Sequence, residues 1–209
     1  MPIDDPTSLK ITQQQRDEMI STLAEFRKRC QRLYFAFDGL SAGRRLLVDH
    51  YQETLKPEYR NVDFALAYQV NNDPNNIDLT PVAVMKQGEL IEATLPGGEF
   101  ENINHQAVVV FVYHLWDELY RPQIAKIVQV ENNKVEWDLL GDLKLIRNAI
   151  IHNQSKLSMA SFNRLIVLRT IWNLKPAQLK LTHGMMNRLF DQFNHPITLR
   201  FADCIVSAV

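Results

Sequence analysis

Asp142-Leu-Lys-Leu-Ile-Arg147-Asn148-Ala-Ile-Ile-His152-Asn153 reads as one amphipathic helix with an unusual polar face. At about 100° per residue, Leu139, Leu143, Ile146 and Ile150 fall on one side and make a core stripe. Lys144, Asn148, His152 and Ser155 fall roughly opposite. Arg147 lies at the edge of that polar face, within reach of it. A guanidinium, an amide and an imidazole are thus expected together, pointing away from the helix's own core.

Those groups carry chemistry. Arginine stays charged and forks onto phosphate. Histidine gives or takes a proton near neutral pH. Asparagine orients either one, or bonds a ribose or phosphate oxygen. Gly141, Leu145, Asn148 and His152 share one stripe. A helical glycine costs about 1 kcal/mol against alanine, so Gly141 is expected where a second backbone comes close, as at a helix–helix seam. The same pattern also reads as an ordinary solvated helix face, because Arg-x4-His occurs by chance in many chains.

Arg147-Asn148-x3-His152-Asn153, late in a helical segment and after a helix bearing Trp116, Asp117 and Glu118, resembles the HEPN superfamily. That family's motif is Arg, a polar residue that is often Asn, a few residues, then His. The match covers the motif and its helix, the preceding helix more loosely, and the rest only in the order of elements. The resemblance implies a mainly α, HEPN-like helical bundle, often dimeric. In many members it is a metal-independent ribonuclease acting as a toxin or in antiviral defence; other members only bind nucleotides or proteins. It further implies that two subunits pair their motif helices into a composite cleft. There His152 moves protons, Arg147 holds the scissile phosphate and Asn148 orients one of them. RNA is then cut to a 2′,3′-cyclic phosphate and a 5′-hydroxyl. In the family an acid from an earlier helix approaches the motif Arg. Asp117 or Glu118 is the candidate for that supporting acid, and the plain alternative is a helix-face carboxylate. The expected partners are RNA, a second copy of the chain, and an antitoxin protein that covers or modifies the site.

The composition agrees with a folded protein. The chain has 209 residues, 46% hydrophobic and 22% charged, enough for one large domain with a real core. A formal net charge of −1 argues against a general nucleic-acid coat and leaves room for a small local site. Cys30 and Cys204 make no disulfide framework and point to a reducing compartment. The start, Met1-Pro-Ile-Asp-Asp, is no signal peptide, and no run nears the ~18 apolar residues of a membrane span. The cytoplasm is the expected location.

Along the chain, residues 8–37 read as a long helix with Thr12 as N-cap. Its apolar face is Met19, Leu23, Phe26, Cys30, Leu33 and Phe37. Arg27, Lys28, Arg29 and Arg32 form a basic cluster that reads as a solvated face or as a steering patch for RNA. Asp38-Gly-Leu-Ser-Ala-Gly43 predicts a break, and Arg44–Leu55 a second, shorter helix. Residues 61–100 read as a small β-rich insertion within a single domain spanning 1–209. Val62–Val70 is a strand, and Val82–Met85 with Leu90–Thr94 suggest a hairpin about Lys86-Gln-Gly88-Glu. Asp73–Asp78 has the acid spacing of a calcium loop but lacks its Gly and terminal Glu. Residues 103–121 make the most apolar helix, kinked or ended by Pro122, with Ile124–Val130 resuming it. The motif helix is read as 135–154. After it come a helix over Ser161–Leu174, a strand over Gln178–Leu181, a helix over Thr182–Phe193 capped by Thr182, and an apolar strand or helix over Leu199–Val206.

Other chemistry is not signalled. His105, His114, His183 and His195 lack His-x3-His spacing, so no zinc site is expected. Neither a phosphate loop nor a Gly-x-Ser-x-Gly elbow is found. With no metal or cofactor expected, a reaction run by side chains alone is the economical reading. RNA cleavage suits it, because the substrate carries its own nucleophile, the 2′-hydroxyl.

Overall fold

A computed structural model of the chain describes residues 11–54, 57–69, 79–201 and 204–208, and its architecture is mainly helical. The first helix, α1, runs Gln13–Thr54. It starts in a capping box: the Thr12 hydroxyl accepts from the Gln15 amide at 3.2 Å, and the Gln15 side chain accepts from the Thr12 amide at 2.9 Å. The break expected at Asp38–Gly43 does not occur, and helix continues through it. Gly39 and Gly43 lower helix propensity by only about 1 kcal/mol each, and no proline stands between them to block the ladder.

The chain divides into two compact units, one made of residues 1–37 with 104–209 and the other of Asp38–Ile103. In the second unit, β1 (Asp63–Gln69) pairs antiparallel with β2 (Leu79–Lys86). The register shifts between Leu66 and Ala67, where Ala67 faces Pro81. Proline has no N–H to give the ladder, so a bulge beside it is expected. The hairpin predicted between Val82–Met85 and Leu90–Thr94 is absent. Gln87–Thr94 is instead a helix, α2, and the Glu89 carboxylate in its first turn accepts from the Lys86 amide at 3.4 Å. The turn after it needs glycine, because a Cβ on Gly98 would lie 2.5 Å from the Ala93 carbonyl oxygen. The Asp73–Asp78 segment lies outside the described residues.

The first unit holds the main core. Helix α3 (Glu99–Leu115) enters it and passes into a π-helical turn, Trp116–Tyr120, and then into α4 (Arg121–Val128). Pro122 therefore does not end the helix. The proline cannot donate to the carbonyl four residues back and its ring crowds it, and the wider turn relieves both. At the centre, Phe26 of α1 has four aromatic neighbours: Trp116 at 5.7 Å, Tyr120 at 5.2 Å, Trp137 at 6.0 Å and Phe193 at 5.7 Å between ring centroids. Such tilted and edge-on pairs each add about 1 kcal/mol to simple burial.

Val135–Glu136 is a short strand, β3, so the motif helix α5 is Asp138–His152 rather than 135–154. β3 pairs with β4 (Ile197–Phe201), and β4 with β5 (Cys204–Ala208), all antiparallel. The apolar end of the chain is thus a hairpin, and Ile197, Leu199 and Phe201 alternate inward as a half-buried strand requires. The helix predicted over Ser161–Leu174 is two short ones, α6 (Met159–Arg164) and α7 (Leu168–Ile171). Gln178 makes only an isolated bridge to Lys156 instead of a strand. α8 (His183–Gln192) starts at Thr182, whose hydroxyl accepts from the Met185 amide at 3.4 Å. Among the described residues, no helix is long and apolar enough to cross a membrane.

Candidate functional site

Helix α5 is anchored by one face and open on the other. Leu139, Leu140, Leu143, Ile146 and Ala149 are buried at helical spacing. That leaves Lys144 exposed, Arg147 and Asn148 half-buried, and His152 exposed. Gly141 has open space around it within the chain, with no atom within 4 Å of where a Cβ would stand. The expected close approach at Gly141 is therefore not made by any described part of the same chain. Ser155 leaves the polar stripe altogether. After α5, Gln154 and Ser155 take left-handed backbone angles (φ 52° and 61°), and the Ser155 amide turns back to the Ala149 carbonyl at 2.9 Å.

Arg147 and Asn148 line a cleft of about 380 Å³ between α5 and the end of α3. The Arg147 Nη1 donates to the Asn148 Oδ1 at 3.0 Å, which fixes the guanidinium beside the amide. The opposite wall is Phe111, Tyr113, His114, Asp117 and Glu118, and Lys144 stands at the α5 side. The two candidate acids thus reach the cleft of Arg147, carried there by the π turn. Asp117 is tied to Arg121, whose Nη1 lies 3.1 Å from the carboxylate and whose Nε donates to the Val135 carbonyl at 3.1 Å. Glu118 is exposed.

Tyr113 reports on this electrostatic setting. It is 7% exposed, and its phenol is pushed up to about 12. Burial is the main cause, and the charge of Asp117 and a hydrogen bond to it add to the shift. Arg121 and Arg147 pull the other way.

His152 is placed differently. It lines a separate hollow with Asn153, Gln154, Lys156, Leu157 and Ser158, and does not line the Arg147 cleft. Five residues of helix turn a side chain by about 140°, so one chain points Arg147 and His152 well away from each other. No family model, no curated protein and no solved structure matches the chain.

Two arrangements were not legible from spacing. Asp142 is 1% exposed and accepts from the backbone amides of Ile166, Val167 and Leu168, at 2.7–3.1 Å. No local pattern links a carboxylate to amides twenty-odd residues on. His105 and His183, distant in sequence, have ring centroids 6.2 Å apart. The His105 Nδ1 lies 3.3 Å from the Leu181 carbonyl oxygen, and ring nitrogens of the two histidines lie within 4.8 Å of each other. Two imidazoles at that distance suit a soft divalent cation, and a structural zinc site needs further donors.

Proposed function

We propose that the chain is a metal-independent endoribonuclease of HEPN type, acting as a homodimer on RNA and serving as a toxin or an antiviral defence component held in check by an antitoxin. The observation that carries this reading is the pairing of Arg147 with Asn148 in a cleft, with His152 exposed one turn beyond Asn148 on the same helix. Arg147 holds the scissile phosphate and stabilises the charge that builds on it. His152 moves a proton at the 2′-hydroxyl or at the leaving 5′-oxygen. The P–O2′ bond forms as the P–O5′ bond breaks; the 2′ proton leaves to a base and the 5′-oxygen takes one up. Because one chain sets Arg147 and His152 in separate hollows, a working centre draws Arg147 from one protomer and His152 from the other.

A second reading is a HEPN-like module that binds a nucleotide or a protein without cutting. The separation of His152 from the Arg147 cleft favours it. The deciding experiment incubates purified protein with end-labelled tRNA and a structured mRNA in EDTA, beside Arg147→Ala and His152→Ala. Cleavage by the wild type alone, leaving cyclic phosphate ends, supports the ribonuclease. No cleavage by any of the three, with all folded and dimeric, overturns it in favour of the binding module.

A further inference from the structure

A second pocket, of about 420 Å³, adjoins the Arg147 cleft, and Tyr113 and Lys144 line both. It carries four cations, Arg121, Lys144, Arg164 and Arg200, and three acids, Glu136, Asp138 and Asp142. Most of these charges are already committed. Arg121 holds Asp117 and the Val135 carbonyl. Arg200 holds Asp138, and Glu136 stands opposite Arg200 in the β3–β4 ladder. Asp142 is spent on three backbone amides. Lys144 and Arg164 are exposed and make no ion pair or side-chain hydrogen bond among the described residues. Two cations that make no ion pair therefore face one hollow, from α5 and from the end of α6, and the carboxylates of Glu136 and Asp142 line it with them. In the adjoining cleft, Phe111 is 50% exposed beside Arg147 and Asn148. Exposed apolar rings next to cations are how single-stranded nucleic acid is held without reading its sequence: bases stack on the ring and phosphates sit on the cations.

We infer that the joined pockets form a track for single-stranded RNA, in which Lys144 and Arg164 take the phosphate next to the one held by Arg147, and Phe111 stacks a base. This inference rests on the endoribonuclease reading for the identity of the Arg147 phosphate. It adds Arg164, from outside the motif helix, as a substrate-binding residue. It also gives the substrate a form: unpaired, at least two phosphates long across the site, and with no base preference at the stacked position.

The test uses a fluorescein-labelled, fully 2′-O-methyl single-stranded oligonucleotide, which keeps the phosphates and blocks the nucleophile. Binding is followed by anisotropy at several salt concentrations for the wild type, Lys144→Gln/Arg164→Gln and Phe111→Ala. Cleavage of unmodified RNA at saturating concentration is measured alongside. The double variant is expected to bind roughly tenfold more weakly at moderate salt. Its log–log salt slope should be shallower by about 0.7, from the one phosphate that the two cations share on a single strand. Phe111→Ala is expected to weaken binding with the slope unchanged. A wild type that binds and cleaves, with an unchanged slope in the double variant, overturns the track and leaves the ribonuclease standing. A wild type that binds with the expected slope loss but never cleaves supports the track and overturns the ribonuclease. A wild type that does not bind the oligonucleotide overturns the track.

Discussion

The Leu168 amide donates to the Asp142 carboxylate at 2.7 Å, and both residues are buried. With the amides of Ile166 and Val167, that bond clamps the start of α7 to the middle of α5. It also explains why the helical pattern over Ser161–Leu174 splits. Ile166 and Val167 give their N–H groups to a side chain rather than to a continuing helix, and α6 stops at Arg164. Asp142→Ala leaves these donors without their acceptor and should cost about 3 kcal/mol. Asp142→Asn keeps one acceptor oxygen and should cost about half of that. Urea denaturation of the variants checks both values.

Alkaline stability should follow the buried phenols and the Cys30 thiol. Burial pushes the Cys30 thiol up, and it likewise raises Tyr113 and Tyr120. In each case the unfolded chain loses its proton first as pH rises. The stability these groups contribute is complete below their unfolded values and drains away above them. For Tyr113 that window runs from the ordinary tyrosine value to about 12. Unfolding free energy measured across alkaline pH should therefore fall, and Tyr113→Phe should make the fall shallower in that window. Asp117→Asn should lower the Tyr113 midpoint in an ultraviolet titration, since it removes a charge that opposes the phenolate.

The π turn places Asp117 and Glu118 on the Arg147 cleft, and Pro122 is the residue that forces it. Pro122→Ala restores an N–H and removes the ring. The turn is expected to relax toward regular α-helix and move both acids out of place. Stability should hold or rise by about 1 kcal/mol, while the Tyr113 titration shifts toward the ordinary value as Asp117 moves away. Calorimetry and the same titration test this together.

Arg147 and His152 are half-buried and exposed, so replacing either by alanine should change stability by less than about 1 kcal/mol. Cleavage should fall at least about 100-fold in each variant. If one centre takes Arg147 from one protomer and His152 from the other, co-refolding the two alanine variants should restore roughly a quarter of wild-type activity. Half of the dimers are then mixed, and each mixed dimer keeps one of its two centres intact. A mixture as inactive as its components would place both residues of a centre in one chain.

Much of this arrangement follows from local pattern alone. Helical periodicity is a local property, so the sequence determined the apolar face of α1, its start at Thr12, the α8 start at Thr182, and which face of α5 is buried. It also placed Arg147, Asn148 and His152 on the outer side of one helix. What it left undecided depended on partners far along the chain or on competition between signals. Asp38–Gly43 carries two helix-weakening glycines, and only the summed ladder of a long helix decides that they are tolerated. Gln87–Thr94 has an apolar content that suits strand or helix, and the Glu89 cap tips it to helix. The union of Asp142 with the Ile166–Leu168 amides, the meeting of His105 with His183, and the convergence of Lys144 with Arg164 are tertiary facts. Each joins residues from different elements, and no spacing along one element encodes which surfaces will pack together.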